Sequence, residues 1–239
     1  MKRAVLDAVL AARGASLPIA LATELKTGRQ LAVSLSDTSV GDLEGTPSIE
    51  AAAAKALRDN SPNTVEGAEG PIFVQPFNPP LRMYVVGAVH IAQALAPMAT
   101  VAGYEVTVID PRGSFATPVR FPGIRLSTDW PDDAIAQAPP DARTALITLT
   151  HDPKLDDPAL SAGLRSDAFY IGALGSRKTH TLRLDRLRTE GFDERALARI
   201  HGPIGLALGG RSPAEIAVAT LAQATQVLHE TDPHARSAA

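Results

Sequence analysis

A chain of 239 residues with 45% hydrophobic content has material for a real core, in one large or two small domains. A net charge of −3 and 4% aromatic content offer neither a concentrated basic face nor a base-stacking surface, so nucleic-acid binding is not expected. A cysteine count of 0 excludes a disulfide framework, a thiolate metal site, a nucleophilic thiol and a persulfide carried by this chain.

The first residues, MKRAVLDAVLAARG, have a basic start and apolar content, but Asp7 and Arg13 interrupt any secretory core. Lys2 to Ala12 reads as a short amphipathic helix that stops near Gly14. No run approaches the roughly 18 apolar residues of a membrane span, and a cytoplasmic protein is expected. Leu17 to Lys26 and Arg29 to Ser36 are apolar stretches joined by Thr27-Gly28, the pattern of a hairpin. Ser48 to Leu57 is rich in helix formers and follows a Thr46-Pro47 start signal. Asn60 to Gly70 is polar and contains glycine. Pro71 to Phe77 reads as an edge strand because of its prolines. Asn78-Pro79-Pro80 is a stiff break, which sets a small α+β domain over 1–78 before a larger one over 79–239.

The second domain opens with the most informative stretch, Leu81 to Asp110. Met83 to Val86 is an apolar strand, and Gly87 ends it in a turn. His90 to Val101 has apolar residues at helical spacing, Gly103 caps it, and Glu105 to Ile109 is a second strand ending on Asp110. Strand, glycine turn, helix, strand and terminal acid form the first unit of a Rossmann-like, doubly wound α/β fold. Asp110 follows Gly87 at close to the spacing of about 20 that brings an acid to a ribose hydroxyl. The fingerprint is altered, because Gly87-Ala88-Val89-His90-Ile91-Ala92 stands where G-x-G-x-x-G is expected. Gly87 suits the turn and Ala92 is small enough for close packing. Val89 puts a branched side chain where backbone should approach a pyrophosphate. The helix N-terminus still offers open N–H groups to an anion.

Beyond Asp110, Pro111 and Gly113 mark a loop at a strand's carboxyl end, where α/β folds bind ligands. Arg112 is placed either to pair with a phosphate or with a nearby acid, or to be solvated. Arg143 to Thr150 is a buried strand running into His151-Asp152, which makes His151 a site candidate against the alternative of a structural histidine. Asp156 to Leu164 is a crossover helix, and Ala168 to Ile171 the next strand. A second glycine loop follows, Gly172-Ala173-Leu174-Gly175-Ser176-Arg177-Lys178, before a helix from Lys178 to Thr189. Gly175, Ser176, Arg177 and Lys178 would suit an anionic head group. The alternative is a basic, solvated helix continuing through Arg183, Arg186 and Arg188. His180, His201, His229 and His234 show no shared metal-ligand spacing. Ser212-Pro213-Ala214-Glu215 is a capping box for a helix to His229, so Glu215 needs no catalytic role.

Three runs, THDPKLDDPAL (150–160), YIGALGSRKT (170–179) and GPIGLALGGRSPAEIAVA (202–219), together resemble the xanthine dehydrogenase accessory (XdhC/CoxI) family. VVGAVHIAQAL and VTVIDPR match it in the same order, and the resemblance covers roughly Leu81 to Leu228. It implies a Rossmann-like domain that binds the molybdenum cofactor (molybdopterin, a pterin dithiolene with a phosphate). It also implies a chaperone, more than a metabolic enzyme, that helps load the cofactor into a molybdenum hydroxylase such as xanthine dehydrogenase or carbon monoxide dehydrogenase. Members are commonly dimeric, so a homodimer is expected. Gly87, Ala88, Val89, His90, Asp110, Arg112, His151, Gly175, Ser176 and Arg177 are then the expected cofactor-binding residues. The family usually has glycine at Val89 and an acid at Ala207, so this chain departs at both. Without cysteine, sulfuration of the cofactor falls to a partner such as a cysteine desulfurase. Two other readings stand beside this one. An NAD(P)-dependent oxidoreductase would use Asp110 on the ribose, and a non-catalytic scaffold would keep a decayed ligand site.

Overall fold

The computed structural model describes residues 2–34 and 39–230. It divides into two compact units, Met1–Pro79 and Pro80–Ala239.

The first unit runs α1 (Arg3–Gly14), β1 (Ile19–Glu24), β2 (Gln30–Val33), β3 (Val40–Gly41), α2 (Pro47–Asp59), β4 (Asn63–Gly67) and β5 (Gly70–Phe77). The apolar stretch expected to reach Ser36 is strand only to Val33, and Leu35 and Ser36 lie outside the described residues. The strands form one antiparallel sheet in the order β3-β2-β1-β5-β4. Ala20, Ala22, Leu31 and Val74 pack on Ile49, Ala53 and Ala56 of α2, while Ile19, Leu21 and Ala32 pack on Val5 and Val9 of α1. Both faces of β1 are therefore covered, which is why it is a continuous apolar run rather than an alternating one. Thr46 caps α2 by accepting a hydrogen bond from the Ile49 N–H, with Pro47 opening the helix.

One expectation fails here. The prolines do not put β5 at an edge, because it pairs with β1 on one side and β4 on the other. Pro71 sits near the strand's start, and Pro76 lies beyond the last β4 pair, Asn63 with Val74, so neither removes an interior ladder bond. The polar segment 60–70 contains β4 itself, whose alternating exposure is that of a strand with one face in water.

The second unit runs β6 (Leu81–Val86), α3 (His90–Val101), β7 (Tyr104–Ile109), β8 (Arg125–Ser127), α4 (Pro131–Gln137), β9 (Thr144–Thr148), α5 (Pro153–Leu164), β10 (Tyr170–Ala173), α6 (Arg177–Thr189), α7 (Glu194–Leu197), β11 (Ile200–His201) and α8 (Pro213–Glu230). Its six strands are parallel, in the order β11-β10-β9-β6-β7-β8. This is the Rossmann order, and the chain reverses direction across the sheet between β6 and β9. Met83, Val85 and Ile147 face α3 and α8, while Tyr84, Val86 and Leu146 face Ile135 of α4 and Leu155 and Ala159 of α5. With helices on both faces, the polar work of this unit is left to the strand ends.

The reversal point is closed by Gly87, whose N–H donates to the Ile109 carbonyl at 2.8 Å and whose φ is +108°. A Cβ there would stand 2.6 Å from the Thr150 methyl. Gly87→Ala should therefore cost about 1–3 kcal/mol in urea unfolding, from positive-φ strain and a displaced Thr150. Stability equal to the parent would show that the turn is not tightly constrained.

Candidate functional site

The loops that follow β6, β7, β9 and β10 meet along the carboxyl edge of the parallel sheet. Ala88 is fully buried, and its N–H donates to Asp110 Oδ2 at 2.8 Å. Val89 opens α3 in an extended conformation with no side-chain cap, and it packs against the main core of the unit. The branched side chain is thus half-buried against the core. The N–H groups of the first turn of α3, beginning at the exposed His90, have no capping side chain. An uncapped helix start at the reversal point of a Rossmann sheet leaves N–H groups and the positive end of the helix dipole open to an anion.

Asp110 is 0% exposed and fully occupied. Besides the Ala88 bond, its Oδ1 accepts from the Arg112 N–H at 3.0 Å and from Arg112 Nε at 2.9 Å, and its Oδ2 accepts from Arg112 Nη2 at 2.8 Å. Burial disfavours the carboxylate, but the Arg112 side chain and the two N–H groups outweigh it and hold the pKa below its ordinary value. Of the three readings of Arg112, pairing with a nearby acid is the one observed. The acid that spacing assigns to a ribose hydroxyl is spent on its own turn and its own arginine. Arg112 also lies over the Phe115 ring, 4.6 Å from its centre. Its guanidinium is held above its ordinary value first by Asp110 and also by the charges of Asp152, which caps α5, and Asp156 in its first turn.

That next loop presents His151 at φ +62°, with its side chain exposed. Asp152 caps α5 by accepting from the Lys154 N–H at 3.0 Å. The loop's shape comes from Asp156, which is 1% exposed and accepts from Thr150 Oγ1 at 2.6 Å and from the His151 N–H at 3.1 Å. Sequence spacing marks Asp156 only as the start of a helix and misses this anchoring role. His151 Nδ1 lies 3.6 Å from where a Cβ on Gly175 would stand, so the loops after β9 and β10 touch.

In the loop after β10, the Ser176 hydroxyl caps α6 by accepting from the Thr179 N–H at 3.1 Å. Arg177 and Lys178 follow, exposed and without an ion pair among the described residues. Their N–H groups occupy the first two helical positions, which have no partner within the helix. The basic run behind them is not a uniformly solvated face. Arg186 pairs with Asp157, Arg188 with Asp185 and Glu194, and Arg183 is 1% exposed. Arg183 Nη2 donates to the Leu174 carbonyl at 2.9 Å and reaches Asp156 Oδ2 at 3.4 Å. Burial lowers the guanidinium pKa and raises that of Asp156. The signal that marks Arg183 is its position four residues before the fully buried Leu187, on the same face of α6.

The other singled-out residues lie apart. The His201 ring stacks on Tyr170 at 4.9 Å, and His180 packs over Gly202. His234 lies outside the described residues. Among the described residues no group of three or more His, Asp or Glu side chains is placed to hold a metal ion. Ala207 is exposed on the loop before α8. There the capping box forms as expected, the Glu215 N–H donating to Ser212 Oγ at 3.2 Å and the Ser212 N–H to Glu215 Oε2 at 2.9 Å. No described helix is long and apolar enough to cross a membrane.

Residues 83–224 match the family model described as the XdhC Rossmann domain. The molybdenum cofactor insertion chaperone PaoD of Escherichia coli is 33% identical over 157 residues, 65% of this chain and 43% of that protein. A Bacillus subtilis protein, named as a probable subunit of xanthine dehydrogenase, is 28% identical over 156 residues, 65% of this chain and 45% of that protein. The chain thus spans less than half the length of these two curated relatives. The solved structure of a xanthine dehydrogenase from Bacillus halodurans superposes on 97% of this chain and 66% of its own, with a TM-score of 0.70 and 20% identity, a likeness of fold alone.

Asp110→Asn should cost about 2–3 kcal/mol near neutral pH, because a buried charge-assisted network loses its anion. The Asp110 pKa is depressed on folding, so its contribution is present above the ordinary carboxyl value and fades as pH falls through the lower folded value. The stability gap between parent and variant should therefore be widest above about pH 4 and close on acidification. A gap independent of pH would contradict the ionised pair.

Proposed function

The chain belongs to the XdhC Rossmann-domain family, and from that premise we propose that it binds the molybdenum cofactor and helps load it into a molybdenum hydroxylase of the xanthine dehydrogenase or carbon monoxide dehydrogenase type. The observation that carries this reading is the uncapped start of α3 beside an acid already neutralised from within. A phosphate laid against the start of α3 meets the open N–H groups of its first turn, from His90 onward, and the positive end of the helix dipole. It meets no free carboxylate there, since both Asp110 oxygens are bonded to Ala88 and Arg112. Arg177 and the N–H groups at the start of α6 supply a second cationic flank, and His151 lies between the two. The cofactor brings the metal and its dithiolene sulfurs.

The absence of cysteine makes this a holding and delivery role. The chain has no thiolate to bond molybdenum or carry a persulfide, so it binds the ligand by hydrogen bonds and charge, and releases it without breaking a covalent bond. Any added sulfur comes from a partner such as a cysteine desulfurase, with loading placed in the cytoplasm by a homodimer. The nicotinamide alternative asks Asp110 to face a ribose hydroxyl, which its four internal hydrogen bonds oppose.

The test is pterin retention by the full chain, purified anaerobically from cells that make the cofactor, then oxidised and assayed for released fluorescent pterin. Near-stoichiometric pterin and no NAD(H) binding are expected. Arg177→Ala should retain less, with an affinity loss of about 1.5–3 kcal/mol and an unchanged thermal transition. Saturable NAD(H) binding without pterin would replace this reading with the oxidoreductase, and binding of neither would leave a scaffold.

A further inference from the structure

The outward face of α4 begins beside the ligand edge, at Trp130, the one tryptophan of the chain. Trp130 is 51% exposed and has no ring contact among the described residues. It stands at the N-cap of α4, where its side chain makes no capping bond. Ser, Thr, Asp or Asn is preferred there, because their oxygens accept from the open N–H groups. α4 packs on the sheet through Pro131 and Ile135. The indole therefore neither caps the helix nor fills the core, and a break of local rules of this kind is expected at a functional position.

The turn that carries Trp130 is braced on both sides. The Asp110 N–H donates to the Ser127 carbonyl at 3.0 Å, which joins the end of β8 to the loop after β7. Ser127 Oγ donates to Asp129 Oδ2 at 3.1 Å and accepts from the Asp129 N–H at 3.2 Å. Gln137 Nε2 of α4 donates to the same Oδ2 at 3.2 Å. An aromatic anchor on a braced turn loses little conformational freedom when a partner covers it. Its surroundings are acidic. Asp129, Asp132 and Asp133 are exposed, and none has an ion pair among the described residues. Asp132 and Asp133 complement the dipole of α4, and their charge stays open to solvent. Two copies meeting through this face would set acids against acids, and an anionic membrane would be repelled. Charge complementarity selects a basic protein surface, and tryptophan is among the residue types enriched as interface anchors.

We propose that Trp130, with Asp129, Asp132 and Asp133 around it, is the docking point for the client molybdenum hydroxylase, whose matching surface is an apolar pocket rimmed by Lys or Arg. The inference rests on the delivery reading above. It sets the client against the β8 end of the edge and leaves the anion-binding loops uncovered, with the client's basic rim beside the departing anion.

The single tryptophan makes the test direct. The full chain labelled with 5-fluorotryptophan gives one fluorine resonance, followed by NMR as the hydroxylase from the same organism, purified from cells unable to make the cofactor, is added. The resonance should shift and lose its sensitivity to deuterium oxide as the indole leaves water. By calorimetry of the same pair, Trp130→Ser should weaken docking roughly thirtyfold. Its thermal transition should equal or exceed that of the parent, because serine caps α4. Trp130→Tyr should recover most of the affinity. Asp132→Asn combined with Asp133→Asn should weaken docking about threefold or more and flatten its salt dependence. Parent affinity in Trp130→Ser, a resonance unmoved by saturating hydroxylase, or no association at all would overturn the docking point. A resonance that moves with the chain's own concentration would overturn it in favour of a second copy. Pterin retention is scored separately, and Trp130→Ser should keep it at the parent level. Retained pterin without docking removes this surface alone, and docking through Trp130 without pterin removes the cofactor reading alone.

Discussion

The carboxylate of Asp110 ties the glycine turn after β6 to the loop after β7. It takes the N–H of Ala88 from the glycine turn and three donors from Arg112 in the following loop, and is itself fully buried although Arg112 reaches solvent. A buried carboxylate survives only when its lone pairs are filled, and here the same bonds that fill them fix the turn and aim the arginine. Asp156 does the equivalent work one crossing further on. It binds the Thr150 hydroxyl and the His151 N–H and reaches Arg183 on α6. Both acids therefore stand behind the carboxyl edge of the sheet rather than on it. The edge is left to N–H groups, Arg112, His151, Arg177 and Lys178, a surface suited to an anion.

This arrangement explains which features can be read from the sequence. The α3 helix, the strands around it and the Rossmann-like class follow from periodicity and from Gly87 and Gly103. The capping box at Ser212 and Glu215 is likewise a local pattern, because its bonds lie within one turn. What the sequence hides depends on neighbours distant in the chain. The prolines of β5 suggest an edge, but strand order decides where a missing N–H is tolerated, and Pro71 and Pro76 fall at the ends of ladders. The short β8, β11, α4 and α7 hold too few residues to show a period.

The candidate site is legible only in part. Glycine loops at strand ends locate the edge, and Asp110, Arg112, His151 and Gly175 do come to it. Their roles are less accessible. Asp110 fits the ribose spacing yet turns inward, and Val89 looks obstructive yet lies half-buried against the core. Arg183 looks like one more solvated cation on a basic helix, although its spacing to Leu187 places it on the buried face. Charge pairing between separate helices has no signature in linear spacing, so the Asp156–Arg183 contact becomes visible only once α5 and α6 lie side by side.

The central claim is that one contiguous edge, spanning the loops after β6, β7, β9 and β10, receives the cofactor. Hydrogen–deuterium exchange of the full chain, with and without bound molybdenum cofactor under anaerobic conditions, addresses it directly. The account predicts slowed exchange confined to residues 87–93, 110–115, 150–156 and 174–180. Slowed exchange elsewhere, for example along 205–218, with those four segments unchanged, would contradict it.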